Sequence, residues 1–263
     1  MNREIFNTVR DGNIDKLKKM LESGENIHCR DEHGYTLLHT ATGSTVEMLD
    51  YIVSQGADIR DRCTIGGTTA IHSAARYYNL DTLKYLVSKG LNANVIDDLG
   101  RTPLWSTVTP DESQCDIEIV MYLVSQGCNV NHKNFQGRTI IHEIAGSIWA
   151  NITVLEYLIK KGANVNVKDE HGYTPLHRAS ELNTAGLSTN IQETNKNIMR
   201  CLISNGAKVN ARLNYDIYWV LGGETPLDLA SSEEKKLILA HAGGRYNPSD
   251  VVQFFNWCAR KFS

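Results

Sequence analysis

The sequence predicts an all-α fold of short helix pairs stacked side by side, and three observations predict it. The hexapeptide Asp-Glu-His-Gly-Tyr-Thr at Asp31–Thr36 recurs verbatim at Asp169–Thr174. A Gly-x-Thr unit recurs with threonines at Thr36, Thr69, Thr102, Thr139, Thr174 and Thr225, spaced 33, 33, 37, 35 and 51 residues apart. In step with it runs an apolar helical stripe closed by glycine, at Tyr51–Ala57, Tyr85–Leu91, Tyr122–Cys128, Tyr157–Ala163 and Cys201–Ala207. A lone helix pair cannot bury its apolar face, so a period of about 20–50 residues implies neighbours stacked into one core.

Each copy carries its own local instructions, and Glu170–Ser180 shows them most fully. Gly172 suits a tight turn with positive φ. Thr174 followed by Pro175 sets a hydroxyl N-cap before a favoured first helical residue. Leu176 and Ala179, three apart, begin the apolar face. The closing glycine of the second anchor stands where a helix ends in a left-handed residue.

A unit reading Gly-x-Thr-Pro-Leu-His-x-Ala, then an apolar helix and Gly-Ala-x-Val-Asn, resembles the ankyrin repeat over nearly the whole chain. The resemblance implies a β-turn finger and two antiparallel helices per unit, stacked into a curved solenoid of about six to seven repeats, to which the residues themselves add a C-terminal capping helix outside the repeat pattern. It also implies a binding role, with the concave side of fingers and first helices as the recognition surface.

Taken in order, residues 1–30 read as an N-terminal capping pair. Ile5, Phe6 and Val9 line one helix, and Ile14, Leu17, Met20 and Leu21 the other, with charged residues facing outward. Residues 31–244 read as the repeat array. Its third unit carries an extension, Asp111–Cys115. Its fourth has a longer inter-helix turn, Gly146–Trp149, and its fifth holds a polar insertion at Asn183–Asn195 that reads as a surface loop. The finger before Thr225 is seven residues longer than its siblings and carries Tyr215, Tyr218 and Trp219. Residues 245–263 read as a C-terminal helix packed on the last repeat, opened by Asn247-Pro248 and striped by Val251, Phe255, Cys258 and Phe262.

Composition narrows the function classes. A net charge of −3 and a pI near 6.3 give no basic excess to drive nucleic-acid binding. Six scattered cysteines without a Cys-x-x-Cys pair fit a reducing compartment, and Cys128 and Cys201 read as small core residues. With no apolar run near ~18 residues and no secretory signal, a cytoplasmic location is expected, with no membrane or nucleic-acid partner and a free chain that is a monomer. If the chain is a delivered effector, that location is the host cytosol.

Nine histidines are present, and four of them, His39, His72, His142 and His177, share one slot. The resemblance implies that the imidazole in that slot bonds backbone groups of neighbouring turns and is structural, as a buried polar ring requires. His142-Glu143 lacks the second histidine of a zinc-protease motif, and phosphate loops, nucleophile elbows and zinc-spaced Cys/His sets are absent. No enzyme and no cofactor are expected. The candidate partner-binding residues are Tyr77, Arg101, Phe135, Arg138, Trp149, Tyr173, Tyr215, Tyr218 and Trp219, because aromatic and Arg side chains dominate interface hot spots. Arg101, Phe135, Arg138 and Tyr173 are expected on one strip. The second functional class is a ubiquitin-ligase substrate adaptor acting through the C-terminal helix, where Phe254–Cys258 faintly resembles the start of a recruitment box. The resemblance also makes Asn131, Asn166 and Asn210 candidate hydroxylation sites, with a turn-stabilising role as the structural alternative.

Overall fold

A computed structural model describes residues 3–108, 116–214 and 224–245. The extension 111–115, the aromatic stretch with Tyr215, Tyr218 and Trp219, and the C-terminal segment from 246 lie outside the described residues. The chain divides into two compact units, residues 1–109 with 115–129, and residues 110–114 with 130–263.

The first unit is built from eight helices among its described residues: α1 (Arg3–Arg10), α2 (Ile14–Glu22), α3 (Leu37–Ala41), α4 (Val46–Ser54), α5 (Ala70–Arg76), α6 (Leu80–Ser88), α7 (Pro103–Ser106) and α8 (Ile117–Ser125). The second holds α9 (Ile140–Ala145), α10 (Ile152–Lys160), α11 (Pro175–Glu181), α12 (Thr189–Ser204) and α13 (Glu233–His241). Most have nine residues or fewer, below the ~12–15 that an isolated helix needs in water, so packing must hold them. Within the first unit α1, α3, α5 and α7 pack in series, and α4 packs on α6. Within the second, α9 packs on α11, and α12 meets α10, α11 and α13. Leu37, Leu49, Ile52, Ile71, Leu83 and Leu86 fill the first core, and Ile141, Leu155, Leu158, Leu176, Ile198 and Leu202 the second.

The repeated threonine and histidine form one device. Thr36, Thr69, Thr139 and Thr174 each cap a first helix, and each donates its backbone N–H to Nδ1 of the histidine three residues on, at 3.1–3.4 Å. Because Nδ1 accepts, Nε2 carries the proton and donates to a carbonyl of the next finger. The pairs are His39 to Thr68 O (3.0 Å), His72 to Arg101 O (3.0 Å), His142 to Tyr173 O (3.0 Å) and His177 to Glu224 O (3.3 Å). Asp228 stands in the histidine slot of the sixth copy, where its Oδ2 accepts both N–H (2.7 Å) and Oγ1–H (2.8 Å) of Thr225. Trp105 fills that slot in the third copy and is buried.

A second tie runs along the helix ends. Asn94, Asn131, Asn166 and Asn210 each donate Nδ2–H to the carbonyl of the next copy's closing glycine, at 2.8–2.9 Å. Each Oδ1 accepts the N–H two residues beyond that glycine, at 2.7–3.0 Å. These asparagines therefore bridge consecutive copies. Asn94 ends Gly90-Leu-Asn-Ala-Asn94, a looser match to Gly-Ala-x-Val-Asn than the other three, and does the same as they do.

Three expectations change. The insertion is not a loop throughout, because α12 is 16 residues long and takes in Thr189–Asn195. Ser188 caps it, Ile191, Ile198 and Leu202 follow the helical spacing, and buried Asn195 fills the intervening slot by donating to Ala179 O at 3.2 Å. Cys201 is half-exposed, at the register where other copies carry half-exposed tyrosines, whereas Cys128 is buried. In the N-terminal pair Leu17 alone of the second helix's apolar set is fully buried; Ile14, Met20 and Leu21 stay partly exposed.

Lys235 of α13 is a feature the sequence reading missed, because a lysine in a buried slot runs against its usual surface placement. It is 1% exposed, and its ammonium donates to Ala179 O, Ser180 O and Leu182 O at the end of α11 and to Ser231 Oγ. Burial draws its pKa down to about 8. The charge completes carbonyls that α11 leaves open at its C-terminus.

Burial holds His72 and His177 at a pKa of about 4 and lowers His39 and His142 from the ordinary value. The folded chain keeps these rings neutral, while the unfolded chain protonates them near 6.5. Stability from this source is therefore full above about pH 6.5 and falls as pH drops towards 4, by about 1.4 kcal/mol per pH unit for each ring in its window. Urea midpoints at pH 7.5, 5.5 and 4.5 should descend in that order, and His72→Gln should flatten the descent. Asn166→Ala should lower stability by roughly 0.5–1.5 kcal/mol, since it removes two solvent-exposed hydrogen bonds that tie consecutive copies together; denaturant unfolding measures it.

Candidate partner-binding surface

The fingers are shaped by an acidic or amide residue at their base. Oδ1 of Asp31 accepts the N–H groups of His33 and Tyr35, both at 2.9 Å. Asp97 does the same for Leu99 and Arg101, Asn134 for Gln136 and Arg138, and Asp169 for His171 and Tyr173, at 2.8–3.1 Å. This closes the turn and turns the residues between outward. Glycine is required at the apex: Gly172 has φ +86, and a Cβ there would lie 2.5 Å from Asn214 N of the following finger. The close approach lets one finger's carbonyl accept from the next, as in Asn214 N–H to His171 O (2.9 Å) and Glu170 N–H to Gln136 O (3.1 Å).

Basic side chains at the finger bases are consumed in holding fingers together. Arg30 donates to both carboxylate oxygens of Asp61 at 2.7 Å and to Arg62 O at 2.8 Å; Arg62 repeats the move on Ile96 O and Asp98, both at 2.9 Å. In the second unit Lys133 reaches Lys168 O at 3.0 Å, and Lys168 in turn reaches Arg212 O.

The structure sorts the sequence-predicted residues. In the first unit Arg101 lies against the carboxylate of Asp97 (2.7 Å), beside Leu99, which is 54% exposed at the tip of the same finger. In the second unit Phe135 is 69% exposed at a finger tip. Arg138 and Arg178 both reach Oδ2 of Asp169, at 3.4 and 3.2 Å, and that carboxylate is fully buried. The Arg178 guanidinium sits 4.2 Å over the Tyr173 ring, whose edge meets His177 at 5.9 Å. Arg138, Tyr173 and Phe135 are thus brought together on adjoining fingers, joined by Arg178, a first-helix residue also expected on the recognition surface, and by Asp169, which the candidate set lacked. The recurring Asp or Asn three residues before Gly34, Gly100, Gly137 and Gly172 was the signal for Asp169.

Tyr77 and Trp149 lie elsewhere, in turns at the far ends of first helices from their fingers. Tyr77 follows α5 and is 56% exposed, its ring packed over Gly43. Trp149 lies in the α9–α10 turn and lines a cleft with Asn190, Ile191 and Thr194 of α12. Tyr215, Tyr218 and Trp219 lie outside the described residues.

Among the described residues no group of three or more His, Cys, Asp or Glu side chains is arranged to hold a metal ion. No described helix is long and apolar enough to cross a membrane.

Helix pairs joined by outward fingers, with neighbouring copies inside each unit bonded through a histidine, an asparagine or both, define the class of repeat scaffolds that present side chains for recognition. A family model described as "Ankyrin repeats (3 copies)" matches residues 5–97, 43–115 and 112–212. The chain belongs to the ankyrin-repeat family. It is similar to Neurogenic locus notch homolog protein 1 of Xenopus tropicalis, 38% identical over 68 residues, which is 26% of this chain and 3% of that protein. It is also similar to the Neurogenic locus Notch protein of Drosophila melanogaster, 32% identical over 91 residues, 35% of this chain and again 3% of that protein. Among solved structures, the human ASB11 ankyrin repeat domain superposes with a TM-score of 0.70 at 19% identity, covering 93% of this chain and 99% of that one. The ankyrin repeat domain of Bcl-3, a member of the IkappaB protein family, gives 0.63 at 22% identity over 90% of this chain and 97% of that one. At these identities the likeness is one of fold. Ankyrin repeat domains generally mediate protein–protein interaction, and the fold is typically a non-catalytic scaffold.

Asp169→Asn separates the two duties of this carboxylate. Asn134 shows that an amide closes the finger turn, so the turn should survive, while Arg138 and Arg178 lose their shared anion. A stability loss of about 1–3 kcal/mol is expected, with unchanged far-UV circular dichroism; Asp169→Ala should cost more because the turn N–H groups also lose their acceptor.

Proposed function

We propose that the chain holds a partner protein on its finger and first-helix surface. In the second unit the proposed centre is Phe135 beside the Arg138–Asp169–Arg178–Tyr173 cluster. The observation that carries this reading is the pairing of a widely exposed aromatic with guanidinium groups already fixed by a buried carboxylate. Side chains ordered before binding lose less entropy when a partner arrives. The first unit offers the same combination on a smaller scale, an exposed Leu99 with Arg101 clamped by Asp97.

A benzophenone photo-crosslinker at Phe135 should trap the partner for mass spectrometry, whereas the same group at exposed Gln55, at the end of α4, should not. With that partner in hand, Phe135→Ala and Arg138→Ala should each weaken binding by about 1–4 kcal/mol, and Arg101→Ala combined with Phe135→Ala should abolish capture in a chain that still unfolds cooperatively, at a lower melting temperature because the buried Asp97 carboxylate loses its guanidinium. Capture that survives this pair but is lost on shortening 215–220 would move the site to the aromatic long finger.

A further inference from the structure

We propose a second, separate binding site: the cleft between the α9–α10 turn and the first turns of α12 takes an uncharged, proline-rich peptide in the extended polyproline conformation. Two departures from the repeat meet there. The α9–α10 turn spans six residues, 146–151, where the α3–α4 turn spans four and the α5–α6 turn three. Helix α12 has 16 residues where α4, α6, α8 and α10 have nine. Stacking needs neither addition, yet the added residues face one another across a cleft of about 410 Å³, within the size range of ligand sites.

The lining selects the ligand. Ile148, Trp149, Ile152 and Ile191 give apolar surface, Asn190 and Thr194 give short polar groups, and none of the lining residues is charged. In a chain with 22% charged residues, that absence would leave a charged ligand without a counterpart. A polyproline strand has no internal hydrogen bonds and leaves its carbonyls open, so it needs donors at its flank and an aromatic plane under its rings. The Asn190 amide and Thr194 hydroxyl, both in the lining, can supply those donors, and the Trp149 indole can supply that plane. The wall is also set in advance: Trp149 N–H donates to Ser147 Oγ at 3.1 Å, and Asn151 Oδ1 accepts from Thr153 N–H at 3.0 Å to start α10. The site lies at the opposite end of the first helices from the fingers and stands independently of the finger-surface reading.

The test is a heteronuclear NMR titration of the full ¹⁵N-labelled chain with N-acetylated, C-amidated decaproline. A decamer of alternating glutamate and lysine and the neutral saccharide cellohexaose serve as comparison probes. Decaproline should shift the Trp149 indole N–H, assigned with Trp149→Phe, and the Ile191 amide, saturably and with Kd on the order of 1 mM or below. Thr194→Arg, which fills the cleft with a charge, should weaken this by about tenfold or more at the same melting temperature, and Phe135→Ala should leave it unchanged. No saturable shift with decaproline, an equal shift in Thr194→Arg, or the same signals moving for cellohexaose and not for decaproline would each overturn the proposal.

Discussion

The buried imidazole is the group on which the rest depends. One neutral ring accepts the cap threonine's N–H on one side and donates to the following finger's carbonyl on the other. It thereby fixes where a first helix starts, how its own finger enters it and where the next finger lies. Removing it would strand polar backbone groups in an apolar setting, a cost that a lost apolar contact alone does not carry. The ring serves only while neutral, which ties the integrity of the stack to pH as firmly as to packing.

The asparagine bridges act on the other end of each pair and share the logic: one side chain with a donor and an acceptor joins two copies of backbone. Between the two devices, helices of nine residues or fewer become positioned rods. Fingers, in turn, owe their rigidity to a carboxylate or amide at the base and to backbone bonds between neighbours. Recognition side chains standing on such a frame need few adjustments. Arg101, Arg138 and Arg178 illustrate this, since each lies against a carboxylate of the chain itself before any partner is present.

The fold was legible because its signals repeat. Gly-x-Thr in six copies, the histidine three residues past four of those threonines and the closing glycine in five are each a local rule, and their common register leaves little to chance. The insertion was misread because Asn195 occupies a seam position. Composition made Thr189–Asn195 look like a loop, yet the spacing of Ile191, Asn195, Ile198 and Leu202 is helical once a buried amide bonded to Ala179 O is admitted. Lys235 was hidden for the same reason: a charged residue in a core slot is visible only when its acceptors, the last carbonyls of α11, are in place. Of the candidate site, types were legible and groupings were not. Arg138 and Tyr173 share a cluster because Asp169 sits between them, and no sequence distance states that.

Buried polar groups thus fall into two kinds with different consequences. Histidine, asparagine and Lys235 satisfy backbone groups, so their role ends within the scaffold. Asp169 also satisfies backbone, but its second oxygen faces two arginines that are each more than a fifth exposed. Four acceptor contacts on one carboxylate therefore couple the shape of a finger to the orientation of the groups it displays. If the proposed centre holds the partner, drawing either arginine away means competing with that anion, so affinity there would depend on how well the partner replaces Asp169 as much as on the area it covers. An acidic group offered beside an apolar one, over Phe135, meets both requirements; a purely apolar surface would leave the arginines bound to Asp169 and use only half of what the fingers present.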